Sequence, residues 1–171
     1  MDANLERTYS KLVANLEDLT KLYRALLDLV RKDKEFLVAA KRDELEQNNQ
    51  AKEALVSKLR MTDVLRSKYA TELATLVGAD VESPRLLEIA QKMGGTEGDR
   101  LRSIHSALDL LIKRISEINR ENDEFAQSAL KTLNGALNNI KDTVSGKKTY
   151  ERKGQMKSGP QQAGNFVRKE V

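Results

Sequence analysis

The side chains that most often carry catalysis or bind metals are scarce in this chain. Its 171 residues include one histidine, His105, and no cysteine. Disulfides, thiolate metal sites and a cysteine nucleophile are therefore excluded. His105 follows Ile104 in an amphipathic helical pattern, and it is interpreted as a surface or boundary residue rather than a catalytic one.

A glycine-rich segment, Met-Gly-Gly-Thr-Glu-Gly at residues 93–98, is the nearest approach to a phosphate-binding loop. A P-loop follows a strand and has a lysine near its end, whereas this segment follows a helical pattern and lacks that lysine. It is interpreted as a connection between helices. Because the Gly-x-Ser-x-Gly pattern of serine hydrolases is also missing, we predict no enzymatic activity, no cofactor and no metal.

One aromatic residue lies among basic residues beyond the helical pattern. Tyr150 lies in Ser-Gly-Lys-Lys-Thr-Tyr-Glu-Arg-Lys-Gly, residues 145–154, after the helical pattern has ended. Residues 146–171 hold seven basic and two acidic side chains, whereas the other 145 residues carry a net charge of −1. Several glycines and few large apolar residues predict a flexible, disordered basic tail here.

The composition favours long amphipathic helices as the elements that precede this tail. Charged residues make up 33% of the chain and aromatic residues 4%, with two prolines and nine glycines. A β-sandwich or barrel would need many more turns and β-branched strands. The N-terminal segment does not resemble a signal peptide, and no apolar run approaches the ~18 residues of a membrane span. We therefore expect a soluble, cytoplasmic, all-α protein.

Apolar residues recur in alternating steps of three and four, which predicts helices. Asp43 and Glu46 form a plausible capping box at one helix start. Gly78 suits a helix C-terminus, and Ser83-Pro84 reads as an N-cap followed by proline at the first helical position. The predicted helices cover about residues 3–40, 43–77, 84–92 and 97–144.

These helices predict an antiparallel bundle of three long helices plus one short connector helix, in a domain over residues 1–145. Neither glycine nor proline separates the first two helices, so one continuous helix through Ala40 is the alternative to a hairpin. The hairpin is favoured because an uninterrupted helix would leave its apolar face unburied.

The last helix is predicted to be longer than the helix that it folds back along. At 1.5 Å per residue, 97–144 spans ~72 Å and 43–77 spans ~52 Å. The last helix would pass the first hairpin near residue 131 and project beyond it. Nothing else in the chain would then cover Leu133, Leu137, Ile140 and Val144. An uncovered apolar row of this kind indicates a binding surface for another helix.

Asn122 and Phe125 continue the earlier spacing of this helix, before its phase changes and resumes at Leu130. Asparagine is a mediocre helix former. Asn122 either fixes the register of the bundle or bonds to a partner helix, and both interpretations stay open. The candidate partner-binding residues are Asn122, Phe125, Leu130, Leu133, Leu137, Ile140 and Val144.

Two asparagines, Asn119 and Asn122, lie on the last helix, and Thr149, Tyr150 and Gly154 form a Thr-Tyr-x-x-x-Gly pattern in the basic tail. In an all-helical chain of this length, this order of features resembles the FlgN family of flagellar export chaperones. The resemblance covers the whole chain in architecture. At Phe125-Ala126 this chain departs from the family, which usually has paired leucines shortly after the asparagines.

The resemblance implies a cytoplasmic chaperone for the hook–filament junction proteins. Proteins of this family bind the terminal helices of those proteins, prevent their premature assembly and deliver them to the flagellar type III export gate. By the resemblance, Tyr150 and Gly154 would dock on the cytoplasmic domain of the gate. The basic side chains around Tyr150 would steer it toward an acidic surface. The alternative, which we favour less, is that Tyr150 packs back on the last helix.

Two other functions fit parts of the sequence. A basic tail gives non-specific, salt-dependent affinity for nucleic acid, but the helical body is slightly acidic and shows no basic face. A self-associating coiled-coil protein would pair the uncovered apolar row with its own copy, and a homodimer is also compatible with a chaperone. We predict neither nucleic-acid binding nor membrane insertion.

Overall fold

The computed structural model describes residues 2–144 of the chain, and helices make up most of that range. No strand occurs between residues 2 and 144. The all-α class predicted from the sequence is therefore confirmed, whereas the predicted tail with Tyr150 and Gly154 lies outside the described residues. The helices are α1 (Ala3–Val38), α2 (Arg42–Val77), α3 (Leu86–Met93) and α4 (Gly95–Val144).

A tight turn separates α1 from α2, so the two helices are not continuous. Ala40 adopts φ +53°, in the left-handed region. The backbone N–H of Lys41 donates to the carbonyl of Phe36 at 2.9 Å, which closes the end of α1 in the manner of a Schellman motif. An alanine therefore holds the position that glycine usually takes, and this is why the sequence gives no obvious break signal.

Of the predicted helix ends, that at Gly78 is confirmed. Gly78 adopts φ +69° and its N–H donates to the carbonyl of Ala74. The predicted capping box of α2 is wrong, because the N-cap is Lys41 and no side chain caps the helix. The connector helix begins at Leu86 rather than at Pro84, because the Asp80 carboxylate accepts the N–H groups of residues 82 and 83 and holds them in a turn.

Hydrogen bonds from the side chains of one helix to the backbone carbonyls of another show the relative directions of the helices. Asn15 Nδ2 donates to the carbonyl of Thr62 at 3.1 Å, and Asn48 Nδ2 donates to that of Leu29 at 2.7 Å. Residues early in α1 thus lie beside residues late in α2, so the two helices are antiparallel. Tyr9 donates to the carbonyl of Glu97, and Asn122 donates to that of Val30. By the same reasoning, α4 runs in the direction of α1.

All four helices contribute to the apolar core. Leu12, Leu16, Leu73, Ile89 and Leu101 are fully buried in the main cluster. A second, smaller cluster joins α1 to α4 further along both helices, and it consists of Leu27, Val30, Ile115 and Ile118.

The chain divides into two compact units, Met1–Asn122 and Asp123–Val171. The first unit contains both core clusters. Within residues 2–141, the last buried side chain is that of Asn122, at the end of this unit. In the second unit, the structure describes the C-terminal part of α4, where every residue from Gln127 to Lys141 is exposed.

Candidate partner-binding surface

The C-terminal part of α4 carries a row of exposed apolar side chains. Leu130, Leu133, Leu137 and Ile140 follow one another in steps of three and four, so they lie on one face of the helix. Between 53% and 60% of each residue is exposed. These four residues are named the apolar stripe.

The N-terminal part of the same helix shows how such a row is buried. Leu101, Leu108, Ile115 and Ile118 also follow helical spacing, but each is less than 10% exposed because α1 and the other helices of the first unit cover it. Burial of a leucine-sized side chain contributes about 1.5–3 kcal/mol relative to exposure. A helix laid along the apolar stripe would therefore gain several kcal/mol from contact with these four residues.

The remaining predicted partner-binding residues lie in different surroundings. Phe125 is 44% exposed, at the start of the second unit. Val144 is the last residue of α4, and its side chain is outside the described atoms. Tyr150 and Gly154, the predicted gate-docking residues, are outside the described residues altogether. The structure thus places Phe125 and the apolar stripe on one exposed helical segment.

Asn122 is buried rather than exposed. It is 7% exposed, and its Nδ2 donates to the carbonyl of Val30 at 3.0 Å. Four residues beyond Val30, Lys34 Nζ bonds to the Glu121 carboxylate at 3.1 Å, and this hydrogen bond lowers the pKa of Glu121. Of the two open interpretations, these contacts support a polar side chain that fixes the register of α4 on α1. Asn119, its partner in the sequence pattern, is exposed.

Sequence reasoning missed a groove in the first unit. It has a volume of about 850 Å³, and its lining includes Tyr23, Leu87, Leu108 and Ile112. Burial raises the pKa of Tyr23. Half-buried His105 also lines the groove, so its interpretation as a boundary residue agrees with its position. Exposed Leu87 and Ile112 fall outside the main apolar spacing, which is the signal that would have indicated the groove.

The described residues show neither a metal centre nor a membrane span. Among the side chains described, those of residues 2–141, His, Asp and Glu do not assemble into a group of three or more that could hold a metal ion. Within residues 2–144, every helix is too short or too polar to cross a bilayer.

Comparison with known proteins agrees with the sequence pattern. The model of one family, described as FlgN protein, matches residues 1–158. The chain belongs to the FlgN family. No curated protein and no solved structure gives a significant match. Membership in the FlgN family indicates a chaperone role in flagellar assembly, and the matched range includes the apolar stripe, Tyr150 and Gly154.

Proposed function

We propose that this FlgN-family protein is a cytoplasmic chaperone of the flagellar type III export system. It binds the terminal helices of hook–filament junction proteins, prevents their premature assembly and delivers them to the export gate. Beyond family membership, the observation that carries the proposal is the apolar stripe, four large side chains at helical spacing with more than half of each exposed.

The chaperone replaces the apolar contact that the terminal helix of its cargo makes in the assembled filament. A terminal helix that packs against its neighbours in the assembled filament has an apolar face, and the apolar stripe covers that face while the protein is still in the cytoplasm. Burial of the four residues and their counterparts favours association, and the lost translational and rotational freedom of the two proteins opposes it. An affinity on the order of micromolar, about −8 kcal/mol, suits a cargo that must be released.

Delivery uses the basic segment after α4. Tyr150 supplies a large aromatic contact that loses little conformational entropy on binding, which is why tyrosine is common among interface hot spots. The neighbouring Lys147 and Lys148 steer this segment toward an acidic surface of the gate. Gly154 completes the Thr-Tyr-x-x-x-Gly pattern of this segment, on which the resemblance to the family partly rests.

The first experiment tests the apolar stripe by titration calorimetry. The titrants are the terminal helical segments of the hook–filament junction proteins from the same organism. We expect the wild-type protein to bind at least one segment and a Leu133→Asp, Leu137→Asp variant to bind at least 30-fold more weakly. Two aspartates in the contact face would be buried without partners, which costs several kcal/mol.

A matched control separates the site from general damage to the helix. A Ser128→Asp, Thr132→Asp variant places two aspartates at the same spacing on the opposite face of α4, where both residues are exposed. This control should bind within twofold of wild type and have the same helical circular dichroism. Equal losses in both variants would move the binding site away from the apolar stripe. No binding of any segment by wild type would contradict the chaperone assignment.

A second experiment tests delivery. Tyr150→Ala should abolish binding to the cytoplasmic domain of the export gate, measured by calorimetry, and leave binding to the junction-protein segment unchanged. Tyr150→Phe retains the ring and should retain most of the affinity. Full gate binding by Tyr150→Ala would exclude this tyrosine as the docking residue.

A self-associating coiled-coil protein is the second candidate, because the apolar stripe has the spacing of a coiled-coil seam. Sedimentation equilibrium of wild type and the Leu133→Asp, Leu137→Asp variant distinguishes the two functions. A tight dimer that the variant loses, together with no binding to junction-protein segments, would favour the coiled coil.

A further inference from the structure

The groove in the first unit has an apolar lining that continues to the surface. Leu16, Leu19 and Leu108 are buried and form its floor. Leu87 and Ile112 also line it, and they are 48% and 43% exposed. Its volume of about 850 Å³ is in the range of sites that bind a specific ligand, roughly 300–1,000 Å³. The groove can therefore hold several side chains of a partner.

The open side of the groove favours a protein segment over a small molecule. A site for a small molecule encloses roughly 70–90% of the surface of its ligand. Here two apolar residues of the lining, Leu87 in α3 and Ile112 in α4, are each nearly half exposed, so an occupant would keep one side in water. An amphipathic helix in a groove has this property, because its apolar face is covered and its polar face stays in solvent.

The carboxylates that line the groove have partners within the chain. Asp63 pairs with Arg66 at 2.6 Å, and Asp109 pairs with Lys113 at 2.7 Å. Glu88 accepts a backbone N–H of the loop before α3 at 3.1 Å. These three acidic side chains therefore offer little uncompensated negative charge to an occupant.

Arg85 also lines the groove, but its charge is not compensated. The residue is exposed, and no carboxylate among the side chains of residues 2–141 forms an ion pair with its guanidinium. A guanidinium matches the shape of a carboxylate and can donate two parallel hydrogen bonds to it. The groove is therefore complementary to an apolar segment that has a carboxylate beside it.

We propose that this groove binds an amphipathic helix of a partner protein, with large apolar side chains on the floor and an Asp or Glu side chain against Arg85. The apolar contacts supply most of the affinity, because an ion pair at the surface contributes little. Arg85 supplies the preference for an acidic helix and repels a basic one. The site lies in the first unit, and it depends neither on the apolar stripe nor on the proposed function.

The test is an NMR titration of the ¹⁵N-labelled full-length chain with a model helix. The chain carries Leu133→Asp, Leu137→Asp, so that the apolar stripe does not compete for the probe. The probe is an amphipathic peptide of about 15 residues with leucines along one face, in versions that carry Glu, Gln or Lys beside the leucines. We expect the Glu version to shift the amide signals of residues 85–91 and 105–112. It should bind about threefold or more tighter than the Gln version, and the Lys version should bind most weakly.

The charge of Arg85 is tested by its removal. Arg85→Gln should weaken binding of the Glu version about threefold or more and leave binding of the Gln version unchanged. The side chain of Arg85 makes no capping hydrogen bond to α3, so the substitution leaves that helix intact. The control, Arg60→Gln, removes an exposed arginine of α2 that does not line the groove, and it should leave binding of both versions unchanged.

The apolar lining is tested by a second pair of variants. Leu87→Gln, Ile112→Gln should weaken binding of every peptide version about fivefold or more, because less apolar surface is buried. The control, Met61→Gln, Leu110→Gln, changes two residues outside the groove that are 71% and 70% exposed, and it should bind within about twofold of the unsubstituted chain. Circular dichroism verifies that each variant is folded.

Four results would overturn the proposal. Equal dissociation constants for the three peptide versions would exclude the acidic preference, and so would equal effects of Arg85→Gln and Arg60→Gln. Shifts confined to signals outside residues 85–91 and 105–112 would exclude the groove as the binding site. No binding of the Glu version at millimolar concentration would exclude an amphipathic acidic helix as the occupant. The proposed function is tested separately, by the titration with junction-protein segments.

Discussion

Asp33 is a buried carboxylate whose partners come from the opposite helix of the hairpin. It is 5% exposed and accepts hydrogen bonds from Asn48 Nδ2 at 2.6 Å and from Lys52 Nζ. Since removal of one member of a buried polar group leaves the others unsatisfied, Asp33→Ala should lower the free energy of unfolding by about 3 kcal/mol. Urea unfolding followed at 222 nm measures the change.

The control for Asp33 is an exposed ion pair in the same helix. Asp18 bonds to Lys21 at 3.1 Å, and both side chains are more than 60% exposed. Asp18→Ala should therefore cost less than about 1 kcal/mol. Similar losses of unfolding free energy in the two variants would mean that the buried contacts of Asp33 stabilise the fold no more than an exposed ion pair does.

Polar residues on apolar faces were the least predictable from the sequence. The spacing placed Asn122 on the apolar face of the last helix, but a pattern of residues cannot say whether an amide meets its own bundle or a partner. Its bond to Val30 depends on the register of α4 on α1, which only the assembled helices define. The hydrogen bonds of Asn15 and Asn48 depend in the same way on the register of α2 on α1.

Helix ends were predictable where glycine marks them and not where other residues do. Gly78 gave the end of α2, but Ala40 in the left-handed region marks the end of α1 with no such signal. Ala40→Gly should therefore raise the free energy of unfolding by about 0.5–1 kcal/mol, because relief of the strained backbone exceeds the extra entropy of the unfolded chain.

The neighbouring alanine provides the control for the turn. Ala39 has φ −82°, an ordinary helical value, so Ala39→Gly should lower the free energy of unfolding by about 0.5–1 kcal/mol. Thermal unfolding of both variants shows whether each substitution raises or lowers the free energy of unfolding. A destabilised Ala40→Gly variant would indicate a different conformation of this turn.

Substitution by alanine should have opposite effects on stability at two glycines of α4. A Cβ at Gly98 would overlap the carbonyl oxygen of Ala90 in α3, whereas a Cβ at Gly135 meets nothing within 4 Å. Gly98→Ala should cost about 2 kcal/mol or more, since the backbones of α3 and α4 would have to separate. Gly135→Ala should make its segment more helical by about 0.5–1 kcal/mol. Unfolding midpoints test the first change, and helical circular dichroism tests the second.

At the scale of the molecule, the apolar spacing in the sequence predicted which face of a helix is apolar, but it did not show what covers that face. Leu101 and Leu133 belong to the same kind of pattern, yet the first is fully buried and the second is 54% exposed. Leu101 belongs to the main cluster of the first unit, whereas Leu133 lies in the second unit, where every residue from Gln127 to Lys141 is exposed. The groove beside Tyr23 was not predictable from the sequence, because it forms only where four helices meet.

The division into two units predicts how stability varies along the chain. A helical segment without buried side chains is marginally stable in water, whereas amides beside fully buried residues open only with most of the fold. In the free protein, hydrogen exchange at residues 127–141 should be roughly 100-fold or more faster than at Leu12 and Leu16. If a junction-protein helix covers the apolar stripe, as we propose, its addition should slow exchange at 127–141 and leave exchange at Leu12 unchanged. Equal protection of the two regions in the free protein would mean that contacts within the chain already stabilise this segment, and the apolar stripe would then not be available to a partner.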